Sequence, residues 1–487
     1  MPKLSLERLI QSLSQGELRA FSLSIKKDNN PSYYKLFNDI RTGKSDDKHK
    51  KDNNEIQRRN YLYHSILESL VKSSKTIDSQ ISKGLHHVEI LYNRQLEKEA
   101  WKELERVEKL ANKHERFGYI IQVLEWKKIL GTRLNAFTKE DYALTSTLEK
   151  ETMENYKTYL DASNSYHELI QEKQTGGYIH DIKISSLEDL ESSEKDINFP
   201  KRTLYYQRMA KAVHLCLTQD VIAQYKLTKL IMDDVAVINE ANECLQAYFE
   251  HLTSCICIGE FDELISLLKK LKLDIGKGKF GTDPNIKIKL FYYAANYETM
   301  AFAYLGDENQ LKLKIKEVQL GLKKMDANLT LEMKLTIYSA LKMAHYFLGN
   351  IEESKKYVAL ILDSESINIR RDIYQDALFF RLLICTDDNN VQEMEDTLEH
   401  IENQCDVNKP HYQFEKKLLA NFQDFAIDNF NKTDLYHANL EAFNQISFTL
   451  PNGKKYTENY YPYYIWASAR QRNIPILEFS KSENSKL

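Results

Sequence analysis

Apolar and polar positions alternate along most of this chain with a period near 3.6 residues, the pattern of helices that bury one face. It is plainest from Lys201 to Cys405. With a turn residue as origin, the stripe is read two, five, nine and twelve residues onward, and small or apolar side chains recur at the last three. After Gly259 these are Phe261, Leu264, Leu268 and Leu271; after Gly349 they are Ile351, Ser354, Val358 and Ile361. After Gly306 the positions hold Glu308, Leu311, Ile315 and Val318, and after Asn389 they hold Val391, Met394, Leu398 and Ile401. A weaker copy starts at Thr218, with Ala223, Leu227 and Leu230. The preceding helices carry matching stripes, such as Leu331, Leu335, Tyr338, Leu341, Ala344 and Leu348. The spacings between turns are 41, 47, 43 and 40 residues, within the range of helical repeat arrays. A helical hairpin cannot cover its own apolar face, so its neighbours must stack on it. The pattern predicts an all-α chain of antiparallel hairpins.

The rest of the chain is punctuated by two polar breaks. Residues 1–72 read as a small helical cap, with short helices near Leu4–Leu13, Gln15–Lys26 and Pro31–Arg41 and a charge-dense loop at 42–55. Residues 73–173 read as a first set of hairpins, ending in one long helix from Lys139 to Glu172. A stretch rich in glycine and serine at 174–201 reads as a linker, residues 202–409 as the repeats, and 410–487 as a C-terminal helical cap. Within that cap, Tyr460, Tyr461, Tyr463, Tyr464 and Trp466 are expected to seal the last hairpin, since the end of an array needs an atypical face.

Two segments, CICIGEFDELISLLKKLKLD and HYFLGNIEESKKYVALILD, resemble the tetratricopeptide-repeat (TPR) family. Gly259 and Gly349 match its turn glycine, Glu260 and Asn350 its polar position, Phe261 and Ile351 its large apolar residue, and Ser354 its small packing residue. Leu264 and Leu311 depart from that small position, and the period exceeds the family's 34 residues. The resemblance implies a right-handed α-α superhelix, a TPR-like solenoid with a concave peptide-binding face, whose helices are longer and whose packing angles are looser. None of the family's carboxylate-clamp residues is carried over to this sequence. The N-terminal stretch LIQSLSQGELRAFSLSIKK resembles uncharacterised bacterial helical-repeat proteins, which adds no function.

Composition supports the helical reading. Gly and Pro together are 23 of 487 residues, about 5% against a usual figure of roughly 12%, and few breakers favour long helices. The six cysteines form no C-x-x-C pair and mostly lie in apolar runs, which suits a reducing cytoplasm. The N-terminus lacks a signal-peptide core, and no apolar run approaches the ~18 residues of a membrane span. A cytoplasmic protein without a membrane segment is expected.

Charge and motifs leave little room for chemistry. The formal net charge is −4, yet residues 1–72 hold 14 Lys/Arg against 9 Asp/Glu. Lys26, Lys27, Lys50, Lys51, Arg58 and Arg59 therefore form the basis of one rival function, a nucleic-acid-binding regulator with a basic head and a helical-repeat sensor body. Gly276-Lys277-Gly278-Lys279-Phe280-Gly281 spells G-x-G-x-x-G, but a dinucleotide site needs a preceding strand, and this stretch follows a helical run. Cys255 and Cys257 are two apart and point to different faces of a helix. His86, His87 and Glu89, and likewise His114 and Glu115, match no metal motif. No nucleophile elbow or phosphate-binding loop is present. The expectation is a non-enzymatic scaffold or adaptor that binds a protein or peptide, with no catalytic residue, cofactor or metal.

Overall fold

The computed structural model describes residues 5–27, 31–43, 53–175, 196, 199–218, 220–238, 241–280, 284–363, 369–404, 413–427, 431–446, 448–449, 455–456 and 460–484. Among these the chain is helical, apart from a two-residue antiparallel ribbon pairing Phe448 with Tyr456 and Thr449 with Lys455. It divides into two compact units, Met1–Ala162 with Glu191–Leu204, and Ser163–Leu190 with Tyr205–Leu487.

The first unit begins with α1 (Ser5–Ser12), α2 (Gln15–Lys27), α3 (Pro31–Arg41) and α4 (Asn53–Ser73). These enclose Leu6, Ile10, Phe21, Phe37, Leu62 and Ile66. The hairpin helices α5 (Ile77–Asn93), α6 (Glu97–Lys113) and α7 (Phe117–Arg133) follow, then the 37-residue α8 (Lys139–Thr175), whose residues from Ser163 onward belong to the second unit. Their core is Ile81, Val88, Ala100, Leu104, Val107, Ile120 and Val123. The polar loop expected at 42–55 is covered only at its edges, and most of the linker at 174–201 lies outside the described residues.

The second unit is a run of hairpins: α9 (Lys201–Leu217, whose first turn belongs to unit one), α10 (Val221–Ile238), α11 (Ala241–Ile258), α12 (Phe261–Gly276), α13 (Pro284–Leu305), α14 (Glu308–Met325), α15 (Leu331–Phe347) and α16 (Ile351–Leu362). It continues through α17 (Arg371–Asp388), α18 (Val391–Gln404), α19 (Gln413–Ala426), α20 (Lys432–Ile446), α21 (Tyr461–Gln471) and α22 (Ile476–Asn484). From α10 onward each helix packs on the next, and α11, α13, α15 and α17 also touch one another in sequence. Stacking therefore does what the isolated hairpin cannot.

One turn geometry builds the array. Gly259, Gly306, Gly349 and Asn389 all have positive φ, between 56° and 75°. At each, two amides fold back on the helix just ended. Gly349 N donates to Tyr346 O at 2.9 Å and Asn350 N to His345 O at 2.8 Å, with the same pair of bonds at the other three turns. This left-handed cap satisfies the orphan carbonyls and redirects the chain within two residues. The positions five, nine and twelve residues after each turn are buried as expected: Leu264, Leu268, Leu271, Leu311, Ile315, Val318, Ser354, Val358, Ile361, Met394, Leu398 and Ile401.

The copy assigned to Thr218 is displaced by one residue. Among the described side chains of α10, the buried ones are Val221, Gln224, Thr228 and Ile231, whereas Leu230 is 43% exposed. Two polar residues on the buried face conceal the apolar period there. The first unit hides the same turn differently. Gln95, Glu115 and Asn135 stand 20 residues apart with positive φ and the same folded-back amides, without a glycine among them.

Candidate functional site

Thr228 occupies a buried position of α10 because a polar cluster fills the space between α10, α11 and the start of α12. Its hydroxyl lies 3.0 Å from His251 Nδ1 and 2.7 Å from Ser254 Oγ. His251 and Cys255 are one turn apart on α11 and therefore share a face. The left-handed turn at Gly259 then brings Glu263, in the first turn of α12, back over that face. His251 Nε2 stands 3.3 Å from Glu263 Oε1 and 3.9 Å from Cys255 Sγ, and the three donor atoms lie within 4.8 Å of one another.

Solvent reaches this cluster only from the carboxylate side. His251 and Cys255 are buried, while Glu263 is partly exposed. Lys229 Nζ meets Glu263 Oε1 at 3.1 Å and Oε2 at 3.5 Å, and meets Tyr225 Oη at 3.1 Å. The Tyr225 hydroxyl donates to Glu263 Oε2. Burial alone would raise the Glu263 carboxyl, but hydrogen bonds from Tyr225, Lys229 and His251 leave it below the ordinary carboxylate value. Burial pushes the Cys255 thiol well above its ordinary value, helped by the charges of Glu263 and Glu260. Cys255 and Glu263 both address Nε2, so they do not flank the imidazole as a nucleophile and an orienting acid would.

A second polar seam lies where α21 enters the core. Asp387, at the end of α17, accepts from Tyr346 Oη at 2.6 Å and from Arg470 Nε and Nη2 at 2.9 and 2.5 Å. Asp376, also on α17, is paired with the buried Lys342 and accepts from Tyr463 Oη at 3.3 Å. Around these bonds Tyr461 packs on Tyr304 of α13, and Trp466 packs on Phe422 of α19 and Tyr436 of α20. The aromatic end of the chain is thus internal: Tyr461, Tyr463 and Trp466 are all buried.

The other residues singled out in the sequence go elsewhere. Gly276 closes α12, Gly278 has φ +76°, and Lys279 pairs with Asp274 at 2.7 Å. That segment joins two helices, and Gly281 lies outside the described residues. Cys257 is buried on α11 and is not one of the three clustered donors. His86 meets Glu89 at 3.4 Å and His87 meets Glu103 at 3.5 Å, both largely exposed. His114 is buried, while Glu115 accepts the backbone amides of Lys201 at 3.0 Å and Arg202 at 2.7 Å, capping the start of α9. Of the basic residues, Arg59 is paired with Glu7 and Arg58 is exposed, while Lys50 and Lys51 lie outside the described residues.

His251 and Glu263 were not among those residues. The signal for the first is a His and a Cys at i and i+4. For the second it is a carboxylate four residues past a turn glycine, a separation along the chain that periodicity does not register. Comparison of the chain with protein-family models, curated proteins and solved structures returned no match.

Proposed function

We propose that the chain is a non-catalytic scaffold or adaptor, a TPR-like solenoid of right-handed superhelical course that binds a partner protein segment along a groove. The observation that carries this reading is the recurrence of one turn and one buried register at Gly259, Gly306, Gly349 and Asn389. Stacked hairpins extend a surface instead of enclosing a pocket, so recognition spreads over many side chains. The seam around Tyr304, Tyr346, Asp376 and Asp387 is covered by α21. Partner contact is therefore assigned to α9 and α11, where Tyr206, Arg208, Lys211, Gln246 and Tyr248 are half-buried. Aromatic and basic side chains together suit an extended segment carrying acidic and aromatic residues. No helix among the described residues is long and apolar enough to cross a membrane, and a cytoplasmic setting fits the cysteine usage.

The test is affinity capture from the native host with crosslinking, followed by titration of the recovered segment. A single partner that saturates the chain and loses at least tenfold in affinity on Arg208→Glu with Lys211→Glu supports the assignment. A chain that captures nothing reproducibly, or that turns over a small molecule, sinks it. DNA binding through residues 1–72 rests on their charge balance, 14 Lys/Arg against 9 Asp/Glu, and a mobility shift at low salt, where phosphate contacts are strongest, checks it.

A further inference from the structure

The three donors that converge behind the turn at Gly259 have a use the scaffold reading leaves unassigned. We propose that His251 Nε2, Cys255 Sγ and the Glu263 carboxylate form a binding site for a zinc-class divalent cation, at which the Lys229 ammonium stands in for the metal.

The donor set fits borderline metals. A thiolate and an imidazole select zinc over magnesium or calcium, and a carboxylate completes the mixed sets that zinc accepts. With bonds of about 2.0–2.3 Å, tetrahedral donors sit roughly 3.3–3.6 Å apart. Here Nε2 to Oε1 is 3.3 Å, Nε2 to Sγ is 3.9 Å and no two of the three donors are more than 4.8 Å apart, so the imidazole and carboxylate already stand at metal-ligand separation and the sulfur has to draw in toward both. All three ligands lie within 13 residues of sequence, on two helices joined by a rigid turn.

The imidazole is also held from behind. The Thr228 hydroxyl can donate to Tyr225 O at 3.1 Å and the Ser254 hydroxyl to Thr228 Oγ1 at 2.7 Å, which leaves Thr228 Oγ1 one lone pair. When a cation displaces the Nε2 proton that faces Glu263, the imidazole carries its proton on Nδ1 instead, where Thr228 Oγ1 accepts it, and the Nε2 lone pair is turned toward the metal between Cys255 and Glu263. A ligating histidine needs this second hydrogen bond to fix its tautomer.

Lys229 explains how the group is stable without a metal. Its ammonium neutralises Glu263 at the open side of the cluster, and its side chain is 53% exposed. It can swing into solvent when a divalent cation enters. Binding replaces one positive charge with two and transfers the Cys255 proton to solvent, so the thiolate and carboxylate charges are balanced. A water supplies the fourth ligand on the side Lys229 vacates.

The experiment uses the full chain, stripped with a chelator and titrated with Co²⁺, then with Zn²⁺ in competition. One equivalent of Co²⁺ should produce a thiolate-to-cobalt charge-transfer band with tetrahedral d–d bands, and Zn²⁺ should abolish both. Cys255→Ser should remove the charge-transfer band, and Thr228→Val should weaken binding by roughly 10–100-fold. Lys229→Met should tighten it. Should Cys255→Ser fail to fold, the partly exposed Glu263→Gln answers in its place with at least a tenfold loss. Absence of the charge-transfer band at one equivalent, its survival in Cys255→Ser, or undiminished affinity in Glu263→Gln overturns the site.

Discussion

Asp387 and Arg470, 83 residues apart in sequence, meet through two parallel hydrogen bonds of 2.9 and 2.5 Å. The Asp387 side chain is only 10% exposed, so the pairing offsets the cost of burying it. Planar two-point pairing also fixes the angle at which α21 enters the seam. Removing Arg470 strands a carboxylate between Tyr346 and Trp466. Arg470→Ala should therefore cost about 3 kcal/mol, read from the denaturant midpoint. Arg470→Lys should recover part of this at most, because an ammonium cannot reproduce the fork. A loss below about 0.5 kcal/mol for Arg470→Ala would mean that the pair is not a significant anchor of α21.

Gly306 and Gly349 share a left-handed backbone but differ in surroundings. A Cβ on Gly349 (φ +75°) meets nothing within 4 Å, whereas one on Gly306 (φ +69°) falls 2.5 Å from the backbone nitrogen of Lys481 on α22. Gly349→Ala should cost about 1–2 kcal/mol from conformation alone. Gly306→Ala should cost more and should accelerate amide exchange in α22. Equal costs with an undisturbed α22 would contradict the close approach.

Glu415 supplies a pH dependence. Burial raises its carboxyl from 4.5 to about 7, against the opposing hydrogen bond from Tyr460 Oη at 2.6 Å. A carboxyl with a raised folded value keeps its proton in the folded chain while the unfolded chain has already lost it. Between pH 4.5 and about 7 the native state binds more protons, so stability falls as pH rises and levels off above that window. The loss is on the order of 3 kcal/mol. Glu415→Gln should remove this slope in denaturation measured from pH 4.5 to 8. An unchanged slope would place the cause elsewhere.

Glu115 caps a helix that begins 86 residues later, receiving the amides of Lys201 and Arg202. Carboxylates at a helix start satisfy free amides and favour the dipole. Glu115→Ala should cost about 1–2 kcal/mol and speed hydrogen exchange at the first turn of α9. Protection that stays the same at Lys201 and Arg202 would remove the cap.

Much of the helical layout was legible because the apolar period and the breakers agree. The short helices starting at Gln15 and Pro31 and the long helix from Lys139 follow those signals. The turns at Gln95, Glu115 and Asn135 were not legible, since non-glycine residues adopt a conformation usually marked by glycine. The register after Thr218 slipped because Gln224 and Thr228 put polar atoms on a buried face. The same substitution of polar for apolar betrays the cluster at His251, whose third member depends on a turn folding two helices together. The aromatic C-terminal stretch reads as a cap on composition, yet only long-range contacts place Trp466 amid Phe422, Tyr436 and Asp387.

The burial of α21 also orders events during synthesis. Tyr304 is translated long before its partner Tyr461 exists, and at roughly 5–20 residues per second the interval is about 10–30 s. Over that time the seam on α13, α15 and α17 has no cover from its own chain. A nascent chain of this kind presents an aromatic surface until α21 has emerged, and so a chaperone acting on that seam would be needed in the interval between the synthesis of α13 and that of α21.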